Sequence, residues 1–173
     1  MAIRTVETSD SRQTEALGAE LAAALKPGDI VLVRGELGAG KTTLVRGAAE
    51  ALGVDDAVTS PTFSIGHRYR GSDATVAHLD LYRLAGLAQE EPELLEDYLG
   101  PDTIAFVEWP EQESLELRGA CLLVTLTHEG ADRRRIEVRE LGERAGDPSA
   151  GGARGGDASA ADAQRSLAPE VSR

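Results

Sequence analysis

The sequence predicts an α/β protein of the P-loop NTPase class, with a mostly parallel central sheet, antiparallel additions and helices on both faces. Two observations predict this fold. First, short apolar runs typical of strands alternate with helical repeats over residues 1–141. Second, residues 35–42 match the phosphate-loop pattern G-x-x-x-x-G-K-[ST] in full. An aliphatic run precedes the match and a helical repeat follows it, which is the context that the pattern requires.

The individual helices and strands are predicted from the spacing of apolar residues and from the residues that begin or end helices. The first helix is predicted to begin at the capping cluster 9–11 and to end at Pro27. The second is predicted to begin at Lys41 and to end at Gly53, and a third, acidic helix is predicted around 90–99. Strands are predicted at 3–7, 30–33, 63–69, 75–79, 104–107, 121–127 and 135–140.

Composition divides the chain into one domain, residues 1–141, and a tail, residues 142–173. The tail contains six glycines and eight alanines, and its only large aliphatic residues are Leu167 and Val171. Such a segment buries too little apolar surface to offset the entropy lost on ordering. We therefore expect a P-loop ATPase domain followed by a disordered tail.

Charge excludes some classes of function. Thirty acidic against 18 basic residues give a formal net charge of −12, so autonomous tight binding to nucleic acid is not expected, because that binding needs many basic contacts to phosphate. Residues 84–117 contain ten acidic residues and no Lys or Arg, and this run is either a solvated face or a surface for a basic partner.

A cytoplasmic location without a membrane anchor is expected, since no long apolar stretch and no signal-like start are present. Cys121 is interpreted as a buried thiol.

The chemistry of the phosphate loop explains its residue types. The glycines let the backbone curl so that successive N–H groups point at one phosphate, and the positive end of the following helix adds to that field. Lys41 is expected to bind the β- and γ-phosphate oxygens, and the Thr42 hydroxyl is expected to bind Mg²⁺. The expected cofactors are therefore Mg²⁺ and ATP or ADP. The predicted nucleotide contacts in the loop are Gly35, Glu36, Leu37, Gly38, Ala39, Gly40, Lys41, Thr42 and Thr43.

A phosphate loop also needs an acidic partner for Mg²⁺ and water, usually at the end of a strand. Glu108 follows the apolar run 104–107, and Asp80 follows the run 75–79. Both are candidates, and for each the alternative is a surface carboxylate. His78 is interpreted as a packed or capping residue rather than a base.

Two other segments have open interpretations. Ser60 lies 18 residues after Thr42, where many P-loop switches carry a hydroxyl that senses the γ-phosphate, and a plain turn fits equally well. The three arginines at 133–135 supply either a side chain that faces the base or phosphate, or charge balance for the acidic face.

Four blocks of the sequence together resemble the TsaE family, bacterial P-loop ATPases needed to form threonylcarbamoyladenosine on tRNA. The blocks are residues 35–43, 60–63 (SPTF), 78–83 (HLDLYR) and 108–110 (EWP), and the resemblance extends from about residue 11 to residue 138. The phosphate loop alone indicates only a superfamily, whereas four blocks in this order on a short chain are specific.

The resemblance implies roles at the matching positions. Lys41 and Thr43 would contact phosphate, Thr42 and Glu108 would hold Mg²⁺, and Asp80 would be needed for hydrolysis. Ser11, Thr14 and Arg133 would contact the base or the ribose, and Trp109 would lie beside the nucleotide site. Family members act by docking on the TsaB–TsaD complex, so tRNA contact is expected only through that assembly.

The leading interpretation is a switch ATPase that turns over slowly without partners, because no arginine finger is evident in the chain itself. One alternative is a small-molecule P-loop kinase, which would need an acceptor pocket and an arginine-bearing lid. The other is a nucleotide-gated binding module with negligible hydrolysis.

Overall fold

The computed structural model describes residues 2–61, 64–81, 95, 97–109 and 119–142. Each predicted strand is present, although the third begins at Gly66 because residues 64–65 form a bend; residue 63, its predicted start, lies outside the described part. The predicted acidic helix lies mostly outside it, and so does the predicted tail after Gly142. The elements are β1 (Ile3–Thr8), α1 (Ser11–Ala22), β2 (Ile30–Gly35), α2 (Lys41–Ala51), β3 (Gly66–Arg70), β4 (Thr75–Asp80), β5 (Thr103–Trp109), β6 (Ala120–His128) and β7 (Arg134–Glu140).

The seven strands form one sheet in the order β1-β7-β6-β2-β5-β4-β3. Strands β6, β2, β5 and β4 run parallel to their neighbours in this order, whereas β1, β7 and β3 pair antiparallel at the two sides. The predicted mixture of a parallel centre and antiparallel additions is confirmed. Because β2 is central, the loop that follows it lies at the carboxyl edge of the parallel strands.

Both described helices pack on one face of the sheet. There Leu44 and Ala48 of α2 join Val33 of β2 and Phe106 of β5 in one hydrophobic core. The helices also touch each other closely, since a Cβ added at Gly47 would lie 2.0 Å from a backbone oxygen of α1. This contact fixes α2, and with it the end of the phosphate loop, against the rest of the fold.

The second face of the sheet has its own core. It contains Leu32 of β2, Val107 of β5 and Leu79 of β4, and Leu95 packs on them. Of the predicted acidic helix around 90–99, the structure describes Leu95 as helical and residues 97–99 as a turn and bend, and the rest lies outside the described residues. No helix in the described part of the chain is long and apolar enough to cross a lipid bilayer.

Candidate functional site

The phosphate loop connects the central strand β2 to α2, as the sequence predicts. Gly40 caps α2 in the left-handed region with φ 101°, a conformation that costs a residue with a Cβ about 1–2 kcal/mol. Ala39 is buried, whereas Leu37 at the tip is 82% exposed. The loop is therefore anchored at its base and open at its tip.

Lys41 lies at the centre of this loop and is almost fully buried. Its Nζ donates hydrogen bonds to the backbone oxygens of Gly35 at 2.9 Å and Glu36 at 3.0 Å. These bonds hold a positive charge where the loop curls. An ammonium has three hydrogens, so the third has no partner within the described residues.

Thr42 and Glu108 meet although they are far apart in sequence. The Thr42 hydroxyl donates to Glu108 Oε1 at 2.7 Å. Glu108 is on β5 beside the central strand β2, opposite Val33 in the parallel register, and it is only 3% exposed. The structure thus places a hydroxyl and a carboxylate oxygen, both hard ligands, at the foot of the phosphate loop.

Asp80 reaches the same place from the neighbouring strand. It ends β4 and pairs with Glu108 in the β4–β5 register. The hydroxyl of Ser60 donates to Asp80 Oδ2 at 2.9 Å. Ser60 therefore has a contact within the site, which neither of its two sequence interpretations includes.

His78 is two residues before Asp80 and points to the same face of the sheet. Its ring is fully buried, and Nε2 lies 2.7 Å from Glu108 Oε1. His78 is packed, as the sequence interpretation expects, but its polar contact with Glu108 could not be read from the sequence.

Lys41, Thr42, Asp80 and Glu108 line one cleft of about 400 Å³ at the carboxyl edge of the parallel strands. The cleft has two cationic side chains, Lys41 and Arg134, and two acidic ones, Asp80 and Glu108. Positive charge beside a loop of backbone N–H groups suits a polyphosphate, and the paired oxygens of Thr42 and Glu108 suit a divalent cation. The other lining residues are Leu37, Gly38, Gly40, Thr43, Ser60 and Pro61.

Arg134, the first residue of β7, is the arginine of the run 133–135 that lines the cleft, whereas the sequence singles out Arg133. A Cβ added at Gly40 would lie 3.2 Å from its Nε, and its Nη1 is buried without a hydrogen-bond partner among the described residues. The strand period offered a signal, because Ile136 and Val138 are apolar and Arg134 shares their face. By contrast Arg133, the predicted contact, is exposed in the turn before β7.

Of the predicted contacts inside the phosphate loop, Gly35, Glu36 and Ala39 are not among the lining residues. Three predicted contacts outside the loop are also not among them. Ser11 is exposed at the start of α1. Thr14 is fully buried, and its hydroxyl bonds to Thr8 Oγ1 at 2.9 Å and to the Asp10 carbonyl at 3.2 Å. Trp109 is in the core of the second sheet face, because it follows Glu108 on β5 and neighbouring strand residues point to opposite faces.

Fold and site together define an α/β protein with a lysine-bearing glycine-rich loop at the carboxyl edge of four parallel strands. The family described as "Threonylcarbamoyl adenosine biosynthesis protein TsaE" matches residues 8–136. The chain belongs to the TsaE family.

Individual relatives agree with this membership. The tRNA threonylcarbamoyladenosine biosynthesis protein TsaE of Streptomyces coelicolor is 43% identical over 134 residues, which are 74% of this chain and 90% of that protein. The protein of the same description from Bacillus subtilis is 34% identical over 79% of this chain and 85% of its own length. The crystal structure of YdiB from Bacillus subtilis superposes with a TM-score of 0.61 at 31% identity, covering 82% of this chain and 87% of that one.

Proposed function

We propose that this chain is a Mg²⁺-dependent ATPase with a P-loop NTPase fold, acting in the cytoplasm in the formation of threonylcarbamoyladenosine on tRNA. One observation carries the proposal. Lys41, Thr42, Asp80 and Glu108 come from three separate elements and converge on one cleft beside a glycine-rich loop. The biosynthetic role is supported by the names of the relatives.

Binding of the nucleotide begins with its phosphates. The backbone N–H groups of the loop and the start of α2 face the phosphate chain. Lys41 exchanges its carbonyl contacts for phosphate oxygens, and charge-assisted bonds of this kind are stronger than neutral ones. The phosphate chain provides an anionic partner for the buried Nη1 of Arg134, which removes the cost of leaving a guanidinium donor unpaired.

The residues at the foot of the loop fit Mg²⁺, which proteins usually bind through one or two carboxylates together with phosphates and waters. Thr42 and Glu108 would hold the ion. The chemistry it supplies when bound is neutralisation of charge on the phosphate oxygens. Thr42 donates its hydrogen to Glu108, so the hydroxyl oxygen keeps its lone pairs.

Hydrolysis needs a water held in line with the terminal phosphate. Asp80 is partly exposed at the end of β4, and Ser60 holds one of its oxygens. We assign Asp80 the role of orienting this water through its carboxylate. Since a partner would complete the order or charge of the site, turnover by the isolated chain is expected to be slow.

Docking on a TsaB–TsaD complex is the proposed use of the ATPase cycle. The family membership supports it, and the charge of −12 argues against tRNA as a direct partner. We therefore propose that tRNA is contacted only within the assembly. A nanomolar complex of the isolated chain with tRNA at physiological salt would contradict this part.

ATP turnover, measured with and without the TsaB–TsaD complex, tests the proposal. We expect faster turnover with the complex. Asp80→Asn should lose nearly all turnover and keep nucleotide affinity within about threefold, because the carboxylate contributes to the reaction and little to binding. Asp73→Asn, in the exposed turn between β3 and β4, is the matched control and should behave as wild type.

Three other outcomes separate the alternatives. Equal rates with and without partners would remove the switch. No turnover in any mixture, with nucleotide-dependent docking preserved, would favour the binding module. Transfer of phosphate to a small metabolite would favour the kinase.

A further inference from the structure

We propose that His78 is a positioning residue that sets the affinity of the site for its divalent cation by holding the Glu108 carboxylate. The inference rests on the proposed function. It concerns a residue that the sequence analysis interprets only as packed or capping. His78 itself touches neither nucleotide nor cation in this scheme. It acts through Glu108.

The contact between the two side chains is short and shielded from water. Nε2 of His78 lies 2.7 Å from Oε1 of Glu108, and the two side chains are 0% and 4% exposed. An ionised carboxylate only accepts hydrogen bonds, so Nε2 carries the hydrogen and donates it. In such surroundings a hydrogen bond is electrostatically stronger than in water.

The geometry restrains Glu108 at one oxygen and leaves the other available. Oε1 accepts both from His78 Nε2 and from Thr42 Oγ1, each at 2.7 Å. Oε2 has no hydrogen-bond partner within the described residues. Two donors on one oxygen fix the plane of the carboxylate, so that the second oxygen is presented in one orientation. Hydrogen bonding to a ligating carboxylate is a general means of tuning metal affinity.

A purely structural histidine is a poor choice at this position. The ring is completely buried, and its Nδ1 has no hydrogen-bond partner in the described part of the chain. An aliphatic side chain would fill this space without burying a polar atom. The strand neighbours on the same face illustrate this, since Val76 is completely buried two residues earlier.

Three variants at this position separate the hydrogen bond from packing. His78→Leu removes the donor. His78→Gln keeps an N–H at about the place of Nε2, whereas the shorter His78→Asn places its amide near Nδ1 and cannot reach Glu108. Val76→Ala is the matched control, because it weakens the same face of β4 without touching Glu108.

The measurement is the affinity of the ADP complex for Mn²⁺, a spectroscopic substitute for Mg²⁺, followed by the electron paramagnetic resonance signal of the free ion. We expect His78→Leu and His78→Asn to weaken Mn²⁺ binding by about 10- to 100-fold, with His78→Gln and Val76→Ala close to wild type. ADP affinity in the presence of EDTA should be the same in all of them, since no step without metal uses the carboxylate orientation.

Unchanged Mn²⁺ affinity in folded His78→Leu or His78→Asn would overturn the inference, and so would an equal loss in Val76→Ala or in His78→Gln. If His78→Leu does not fold, the comparison between His78→Asn and His78→Gln decides, because both are polar and differ in reach. Absence of ADP binding by the wild-type chain would instead overturn the proposed function. The two failures are therefore distinguishable.

Discussion

Two buried polar clusters in this molecule share a chemical type but differ in how completely they are satisfied. At the start of α1, the Thr14 hydroxyl bonds to Thr8 and to the carbonyl of Asp10. At the carboxyl edge of the sheet, Glu108 accepts from Thr42 and His78. Both clusters contain a threonine hydroxyl, fully buried at Thr14 and partly buried at Thr42.

The first cluster is closed, whereas the second is open. Thr14 is 0% exposed, and its single hydroxyl hydrogen is donated to the Asp10 carbonyl while its oxygen also contacts Thr8 Oγ1, so a ligand finds neither access nor a free donor there. In the second cluster, His78 Nδ1 and Arg134 Nη1 are buried without a partner in the described residues, and both hydrogen bonds of Glu108 fall on Oε1. Buried polar atoms without partners are costly, and they are tolerated where a ligand supplies the missing contact. The comparison teaches that unfilled bonding capacity, rather than burial or polarity, distinguishes a site from a structural contact.

The largest effect is expected beside the open cluster, from Lys41→Ala. Loss of an ammonium that binds phosphate removes about 3 kcal/mol, so the Kd for ATP should rise roughly 100-fold. Lys26 is exposed on a turn and is the only other lysine, so Lys26→Ala is the control and should bind normally. Calorimetric titration with ATP measures both. Equal affinity of the two variants would show that the open cluster is not a phosphate site.

Replacement of a threonine by valine in each cluster should have an effect of intermediate size, and it compares the two clusters most directly. Thr42→Val should weaken Mg²⁺-dependent nucleotide binding by about tenfold, because it removes a charge-associated contact of roughly 1.5 kcal/mol, and it should leave thermal stability nearly unchanged. Thr14→Val should do the reverse. It leaves the Thr8 hydroxyl short of a buried partner and should lower the free energy of unfolding by about 1 kcal/mol.

Thermal melting and ADP titration on both valine variants check this exchange of effects. A clear loss of nucleotide affinity in Thr14→Val at unchanged stability would restore the predicted role of Thr14 as a nucleotide contact. It would also mean that the hydroxyl leaves its closed cluster when nucleotide binds.

The smallest effect is expected from an exposed ion pair remote from both clusters. Arg4 donates to Glu20, and this hydrogen bond lowers the pKa of Glu20. A carboxylate with a lowered pKa contributes stability above its ordinary pKa and loses it as pH falls through the lowered one. Because water and salt screen exposed pairs, Glu20→Gln should melt only slightly below wild type at pH 7, and this small difference should vanish in acid, where Glu20 is protonated and the pair is lost. A loss as large as that of Thr14→Val would contradict this ranking.

Much of the fold can be predicted from local pattern. Strands such as β2 and β5 are continuous apolar runs, and α2 begins where the glycine-rich loop ends. Their convergence on the loop follows from the rule that parallel strands present their carboxyl ends at one edge. Glu108 could be proposed for that reason, and the structure places it in contact with Thr42.

The remaining site geometry depends on contacts between distant segments. No local signal brings Ser60 to Asp80 or His78 to Glu108, because each pair is separated by a strand, a loop or both. Whether Arg133 or Arg134 enters the cleft depends on the residue at which β7 begins. Trp109 likewise follows Glu108 in sequence but lies on the other face of the sheet.

The strand order has a consequence for how the protein is made. Strand β5 lies between β2 and β4 although it is synthesised after both. A nascent chain that ends before Thr103 therefore has the complete glycine-rich loop but cannot align it with Asp80, since the strand that joins them is still missing. Pairings between segments so far apart form slowly. The emerging polypeptide thus assembles its cleft late, after β5 is made, and Arg134 joins it later still with β7.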